Sequence, residues 1–410
     1  MKRSVVTLCI TIMFSTISVA QQLTTKNIKS IILKPLESNN FSTIVPLGQT
    51  LILSFDDLDA DQKEYSYKIE HMNSDWKPSN ISTNEYITGF QQNNILDYEN
   101  SFNTLQDYTN YSVQVPNENT KITKSGNYLI SVLDELQNII FSRKFTYYES
   151  KALVGVAVVR SRNTSSKNQQ QTVQFTINYN ANEIRNPSQE LKVVVLQNNI
   201  WETAVSNLKP QFFRNNQLVY KYYNKPNFYS GNEYLNFDNK QIRNSTVQIA
   251  RVEKKDIYHA YLYPQEARNL KSYTYFPDIN GQFVIRTTEG NNPFTEADYA
   301  MVHFSLDIDE IANKEIYVYG AFNDFKTTSE NKMNFNTDTK KYEASILLKQ
   351  GFYNYTFATK DKKNCINTHE INGSFYQTEN EYTVLVFYKA FGENYQRVFG
   401  VGSTTVNEQE

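Results

Sequence analysis

Residues 64–72 read EYSYKIEHM. Successive side chains of an extended chain point to opposite faces, so Tyr65, Tyr67 and Ile69 share one face and Ser66, Lys68 and Glu70 the other. A helix would scatter these residues around its axis, whereas a strand with one buried face sorts them. The same kind of run recurs on both sides, in KSIILKPL (29–36), QTLILSFDDL (49–58), GNYLISVLDE (126–135) and NIIFSRKFTYYES (138–150). Short strands at this spacing, separated by turn residues, predict a β-sandwich that ends near Ser150.

Further strands follow in ALVGVAVVRSR, TVQFTINYN, ELKVVVLQNN, IWETAV, QLVYKYY, TVQIARVEKKDIYHAYLY and GQFVIRTT, which predict a second β domain. The polar segment TTEGNNPFTEADY, with Gly290 and Pro293, suits a linker or long turn. DYAMVHFSLDID, EIYVYGAFNDF, KYEASILLKQGFYNYTFATKD and EYTVLVFYKAFG build a third unit. Tyr 30 and Phe 25 against Gly 13, with no long Ala/Leu/Glu helical pattern, point the same way. The expected fold is all-β, in tandem Ig-like or early-set β-sandwiches. The expected boundaries are 21–150, 151–295 and 296–402, followed by a flexible tail over 403–410.

Met1-Lys2-Arg3, an apolar run from Val5 to Phe14 and Ser18-Val19-Ala20 form a secretory signal pattern over residues 1–20, with cleavage expected after Ala20. Gln21 stands where a lipoprotein would have Cys. No later stretch reaches the ~20 apolar residues of a membrane helix, so direct membrane insertion is not expected. Loss of Lys2 and Arg3 would take the net charge from −2 to near −4, which argues against nucleic acid, whose binding rests on neutralising phosphates. With Cys9 gone, Cys365 would have no partner for a disulfide. It reads as a small apolar filler, since no His or cation adjoins it to activate a thiolate.

The acidic turn DDLDAD spaces Asp57, Asp59 and Asp61 like the start of a calcium loop, but Gln62 and Lys68 occupy the sixth and twelfth positions, where Gly and Glu would be required. It reads as a polar turn. In SLDIDE, Asp307 and Asp309 alternate with Leu306 and Ile308 and so belong to the solvent face of a strand. His71, His259, His303 and His369 make no local metal-ligand pattern. No catalytic residue, cofactor or metal is expected, and a small-molecule ligand is not expected. An enzyme would need a site assembled from distant carboxylates, with at least one strongly perturbed.

Two resemblances remain. Residues 320–325, GAFNDF, followed by a strand, resemble the early-set carbohydrate-binding modules, with Phe325 where their pattern has Trp. This offers an alternative function as a periplasmic carbohydrate-binding accessory protein. The aromatic and Asn-rich stretch from Ile69 to Tyr111 carries the other. YSYKIEHMNSDW with EYITGF, ILDYENSFNT, YTNY, VPN and SGNYLISV resembles, over about residues 30–150, the N-terminal domain of the plug protein of the Bacteroidetes type IX secretion system. Met72 departs from the family, in which a Cys often follows the His. The resemblance implies a non-enzymatic periplasmic protein that closes the inner mouth of a giant outer-membrane β-barrel when no cargo is engaged. The barrel is then the expected partner, and Trp76, Tyr86, Phe90, Tyr98 and Tyr111 are candidate interface anchors, because aromatic residues among polar groups suit a specific, releasable contact.

Overall fold

A computed structural model describes residues 26–37, 41–180 and 184–406; the expected signal segment lies outside them. The chain is nearly all β, as its alternation predicts. Among the described residues no helix is long and apolar enough to cross a membrane.

Two sheets enclose the first core. One runs Ile28–Pro35, Leu51–Asp57, Thr109–Val115, Asp97–Asn100; the other runs Ile44–Pro46, Ile139–Tyr148, Gly126–Leu133, Ser66–Met72, Gln92–Asn94. Tyr65, Tyr67 and Ile69 point into the core, as their period requires. Leu51, Leu53 and Phe55 meet them from the opposite sheet, with Phe55 edge-on to Phe141 at 5.1 Å between centroids. Each such aromatic removes roughly 150–250 Å² from water, at about 25 cal/mol per Å² of apolar area.

The second sandwich packs the sheet of Leu153–Arg160, Gln170–Asn178, Gln217–Tyr220 and Phe212–Arg214 on the sheet of Ile200–Ser206, Leu191–Gln197, Asn380–Tyr388 and Arg397–Val406. Val193, Val194, Val195 and Leu196 are all buried. Val193 and Val195 face the partner sheet, while Val194 and Leu196 join Leu385 and Phe387 against Ile44 and Tyr148 of the first unit. Burial on both faces explains why this run does not alternate.

The third sandwich is a single sheet of 11 strands that curls over itself and brings Phe304 to 5.1 Å from Tyr355. It contains Leu235–Asp238, Ile249–Lys254 and Tyr258–Leu262, expected in the second unit, and runs on through Gly351–Asp361. Strands expected in the third unit, Asn380–Tyr388 and Arg397–Val406, instead complete the second, with Leu191 opposite Tyr388 and Gln197 opposite Tyr382. The sheets therefore do not follow the expected division at 295/296: the third sandwich is inserted into the second. Alternation fixes a strand's two faces but carries no record of a partner nearly two hundred residues away. The expected flexible tail is likewise corrected where it is described, since Ser403 to Val406 pair with Thr383 to Asn380.

The outer face of Leu51–Asp57 alternates toward polarity with Ser54 and Asp56, yet both are buried, and the third unit covers Asp56. Asp56 Oδ2 accepts from Lys349 Nζ at 2.7 Å and from the Tyr299 hydroxyl at 2.6 Å, while Oδ1 accepts from Asn110 Nδ2 at 2.6 Å. Lys349 also donates to the Phe294 carbonyl at 2.7 Å and lies 3.9 Å above the Tyr108 ring. Burial lowers the Lys349 pKa, and the Asp56 charge opposes that shift. Around this pair, Tyr108 donates to the Ala297 carbonyl at 2.7 Å, and Asp298 accepts the Leu105 and Gln106 amides at 2.8 and 3.1 Å.

Removing one member of a buried ion pair leaves the other charge unsolvated, which costs about 3–5 kcal/mol. Lys349→Met should lower the unfolding free energy by about that amount in urea titration and separate the melting of the first sandwich from that of the third. A variant as stable as the wild type, melting in one transition, would remove this contact from its structural role.

Candidate partner interface

The stretch from Ile69 to Tyr111 wraps the open side of the first sandwich. Its short strands Gln92–Asn94 and Asp97–Asn100 are the edges of the two facing sheets, and among the described residues neither has a partner on its outer side. The chain crosses from one sheet to the other between them. Ile95 turns into the core while Leu96 points out, at 76% exposure.

The five expected anchors divide. Tyr111 is fully buried, stacked on Phe55 at 5.3 Å and edge-on to Tyr65 at 4.9 Å, with its hydroxyl accepting the Lys63 amide at 2.8 Å. Tyr86 is also core, its hydroxyl accepting from Gln91 Nε2 at 3.0 Å. Both are corrections to the expected surface, because aromatics of a β-sandwich fill its interior before they coat it. Trp76 sits in a turn at φ +60°, closed by its amide donating to the Asn73 carbonyl at 2.9 Å. It is half-buried and meets Trp201 of the second unit edge-on at 4.7 Å, with the Lys144 ammonium 5.1 Å from its ring. Trp76 is thus a wedge between units.

Phe90 and Tyr98 remain exposed, at 65% and 39%. Leu96, Phe102 at 70% and Leu105 at 39% lie in the same stretch and were not among the expected anchors. The available signal was their position at and beyond the edge strands, where alternation breaks down. Aromatic content alone does not separate buried Tyr86 and Tyr111 from exposed Phe90 and Phe102.

The other expected sites fall as follows. Asp57, Asp59 and Asp61 come together, but the Lys63 ammonium lies among them, 2.8 Å from Asp57, in contact with Asp59 and 3.4 Å from Asp61. Their charge is thereby answered from within the protein. Asp307 is exposed beside buried Leu306 and pairs with Lys341 at 2.9 Å. Phe325 is half-buried, packed on Tyr319 at 5.5 Å, and lines a cleft where all three units meet; the neighbouring Asp324 lies 3.5 Å from Arg143 of the first unit. A ring so placed is not a free platform for a sugar. Cys365 is exposed rather than a core filler. His259 and His303, distant in sequence, meet with ring nitrogens 2.9 Å apart, and Ser345 holds the far nitrogen of His303 at 2.8 Å.

His71 packs beneath the stretch. Its Nε2 lies 3.3 Å from the Ser125 carbonyl, which can only accept, so Nε2 carries the proton and Nδ1 accepts from Ser79 at 2.8 Å. Gly126 is required beside it, because a Cβ there would stand 2.1 Å from Nε2. Burial pushes His71 down to about 4, against the pull of the Ser125 carbonyl.

Tyr111→Ala should cost about 3–5 kcal/mol, as for a large core aromatic. Phe90→Ala and Tyr98→Ala should each stay within about 0.5 kcal/mol of wild type. Thermal and urea unfolding separate these outcomes, and a large loss at Phe90 would place it in the core. A second prediction concerns pH. The folded chain binds fewer protons at His71 than the unfolded chain between about 4 and 6.5, so stability is lost as pH falls through this window, by up to about 3 kcal/mol. His71→Gln should flatten that part of the pH profile; an unchanged profile would contradict the burial of a neutral imidazole.

Residues 28–149 match the family model described as the Type 9 secretion system plug protein 1st domain. A crystal structure of a hypothetical protein from Parabacteroides merdae is similar over 94% of this chain and 98% of that one, at 32% identity and a TM-score of 0.90. A crystal structure of trypsin-activated alpha-2-macroglobulin from Escherichia coli aligns at 7% identity over 93% of this chain and 29% of that one, with a TM-score of 0.18, too low to carry an argument. No curated protein matches the chain. The matched segment spans both sheets of the first sandwich and the whole edge stretch, and this first sandwich belongs to the family of the type 9 secretion system plug protein 1st domain.

Proposed function

We propose that this protein is a periplasmic plug that docks on the periplasmic opening of the giant outer-membrane barrel of the type IX system and seals it when no cargo is engaged. Family membership supports the setting, and the export signal read at residues 1–20 supports the compartment. The observation that carries the reading is mechanical. Three sandwiches are locked to one another by buried contacts, and a body blocking a protein-sized pore must resist deformation under a docking load. The work is steric: no bond is made or broken.

The docking surface in this reading is the open edge of the first sandwich, where Phe90, Leu96, Tyr98 and Phe102 project beside acidic Asp97 and Glu99. Unpaired strand edges offer main-chain donors and acceptors to another strand, and apolar anchors add area to that contact. An interface of roughly 1,200–2,000 Å² is typical of a specific complex, and a few aromatic anchors commonly carry most of its energy.

Affinity capture from outer-membrane extract in gentle detergent should recover a very large barrel. A variant with Phe90, Leu96, Tyr98 and Phe102 all changed to Ser should lose that capture at unchanged melting temperature. Absence of any barrel with the wild-type bait would sink the plug reading, and undiminished capture by the variant would move the contact elsewhere.

A further inference from the structure

The chain crosses between the second and third sandwiches twice, outward near Glu233 and back near Glu379. A cluster of acids sits at this double crossing. Glu233 is 1% exposed; its Oε1 accepts from the Tyr273 hydroxyl at 2.5 Å and from the Glu379 amide at 3.1 Å, while its Oε2 is buried with no donor. The Asp278 carboxyl accepts the Tyr234 amide at 2.6 Å and the Asn280 amide at 2.7 Å, and it also meets the Glu233 carboxyl side chain to side chain. Two ionised carboxylates cannot hydrogen-bond to each other, because both only accept.

Among the described residues one cation, Arg268, attracts both carboxylates but donates a hydrogen bond to neither. Its guanidinium donates instead to the Glu233 carbonyl at 2.9 Å and toward Asn372 Oδ1 at 3.4 Å. Lys271 is engaged by Glu266 at 2.6 Å. The titratable groups packed around the pair are Arg268, Tyr273, Tyr275, Tyr234, Tyr355 and Glu379.

We propose that Glu233 and Asp278 share a single proton, and that this proton clamps the loop over residues 269–281 onto the junction of the second and third sandwiches. The loop has no strand of its own; acids hold Tyr273 through Glu233, Tyr275 through Glu379 at 3.1 Å and the backbone beside Asp278, while Tyr273 also donates to the Gln377 carbonyl at 3.3 Å and the Ile279 amide donates to Asn354 at 2.6 Å. It presents Leu270, Tyr275 and Phe276, exposed at 95%, 42% and 53%. Without the shared proton, two like charges would face each other out of water, and the arrangement that relieves them is release of Asp278 with its loop.

Burial drives Asp278 up to about 7, with the Glu233 and Glu379 charges pushing the same way against the Asn280 and Tyr234 amide donors. Burial raises Glu233 as well. The clamped form binds the proton more tightly than an open one whose carboxyl has its ordinary value, about 3.9 for Asp. Clamping is therefore fully present below that value and is lost as pH rises through about 7. The device is independent of the docking reading and stands or fails separately.

Hydrogen–deuterium exchange on the whole chain, corrected for the intrinsic pH dependence of exchange, tests it. Protection of residues 269–281 should fall about tenfold or more between pH 5.5 and 8.5, as for a local opening, while the Gly126–Leu133 strand stays protected. Glu233→Gln supplies a permanent amide donor to Asp278 and should keep the loop protected at pH 8.5. An infrared band of a buried protonated carboxyl should be present in the wild type, disappear above neutral pH, and be absent in Asp278→Asn. Loop protection that does not change with pH in the wild type, or the same infrared band in Asp278→Asn, would overturn the proposal.

Discussion

A carboxylate and an ammonium, both out of water, fix how this molecule is assembled. Asp56 and Lys349 come from strands almost three hundred residues apart and meet with less than 2% of either side chain exposed. Such a pair is weak evidence for net stability, because desolvation offsets most of the attraction. Its effect is on geometry: any displacement of the first sandwich relative to the third strands two charges. Tyr299, Asn110 and Tyr108 complete the cage, so the pairing tolerates one arrangement of the two units. The second sandwich meets the first with an ion pair that stays in solvent, Lys144–Glu202 at 3.2 Å, and not with a buried one. It grips the third through both crossings and the first through the apolar contact of Val194, Leu196, Leu385 and Phe387 with Ile44 and Tyr148.

Such a body suits a function carried by shape. Three features that could suggest chemistry are engaged by the protein itself. The acidic turn is answered by Lys63, the sugar-module motif is packed into the three-unit junction, and the Glu233–Asp278 pair sits beneath a loop rather than in an open cleft. The pair of edge strands, by contrast, carries apolar side chains that project into solvent. The family is a component of a secretion system, and a component of an assembly is expected to keep its uncommitted chemistry on its outside.

Much of the fold was legible in the chain. EYSYKIEHM told which residues face inward, and the all-β class followed from many such runs. The unbroken VVVL of residues 193–196 read only as one more strand, and the structure shows it covered on both faces. The outer face of LILSFDD carries Ser54 and Asp56, polar residues that alternation would leave in solvent; both are buried, and Lys349 answers the Asp56 charge. The insertion of the third sandwich was illegible for the same reason, since strand pairing is a non-local choice. At the candidate interface, composition identified the right stretch but not the right residues. Tyr111 and Phe90 are equally aromatic, and what separates them is a sheet neighbour at 5.3 Å in one case and an open edge in the other.

The inserted topology has a consequence for how the molecule comes into being. Asn380–Tyr388 is an inner strand of its sheet, between Leu191–Gln197 and Arg397–Val406. A chain made or threaded from its amino end can finish the first and third sandwiches while half of the second still lacks its interior strands. Until Asn380–Tyr388 is available, Leu191–Gln197 lacks the strand that pairs along its edge. The inner strand Asn380–Tyr388 is thus a keystone: a chain cut short before it would leave Leu191–Gln197 without that neighbour and the hydrophobic row of Val384 and Val386 missing from the middle of the second sandwich.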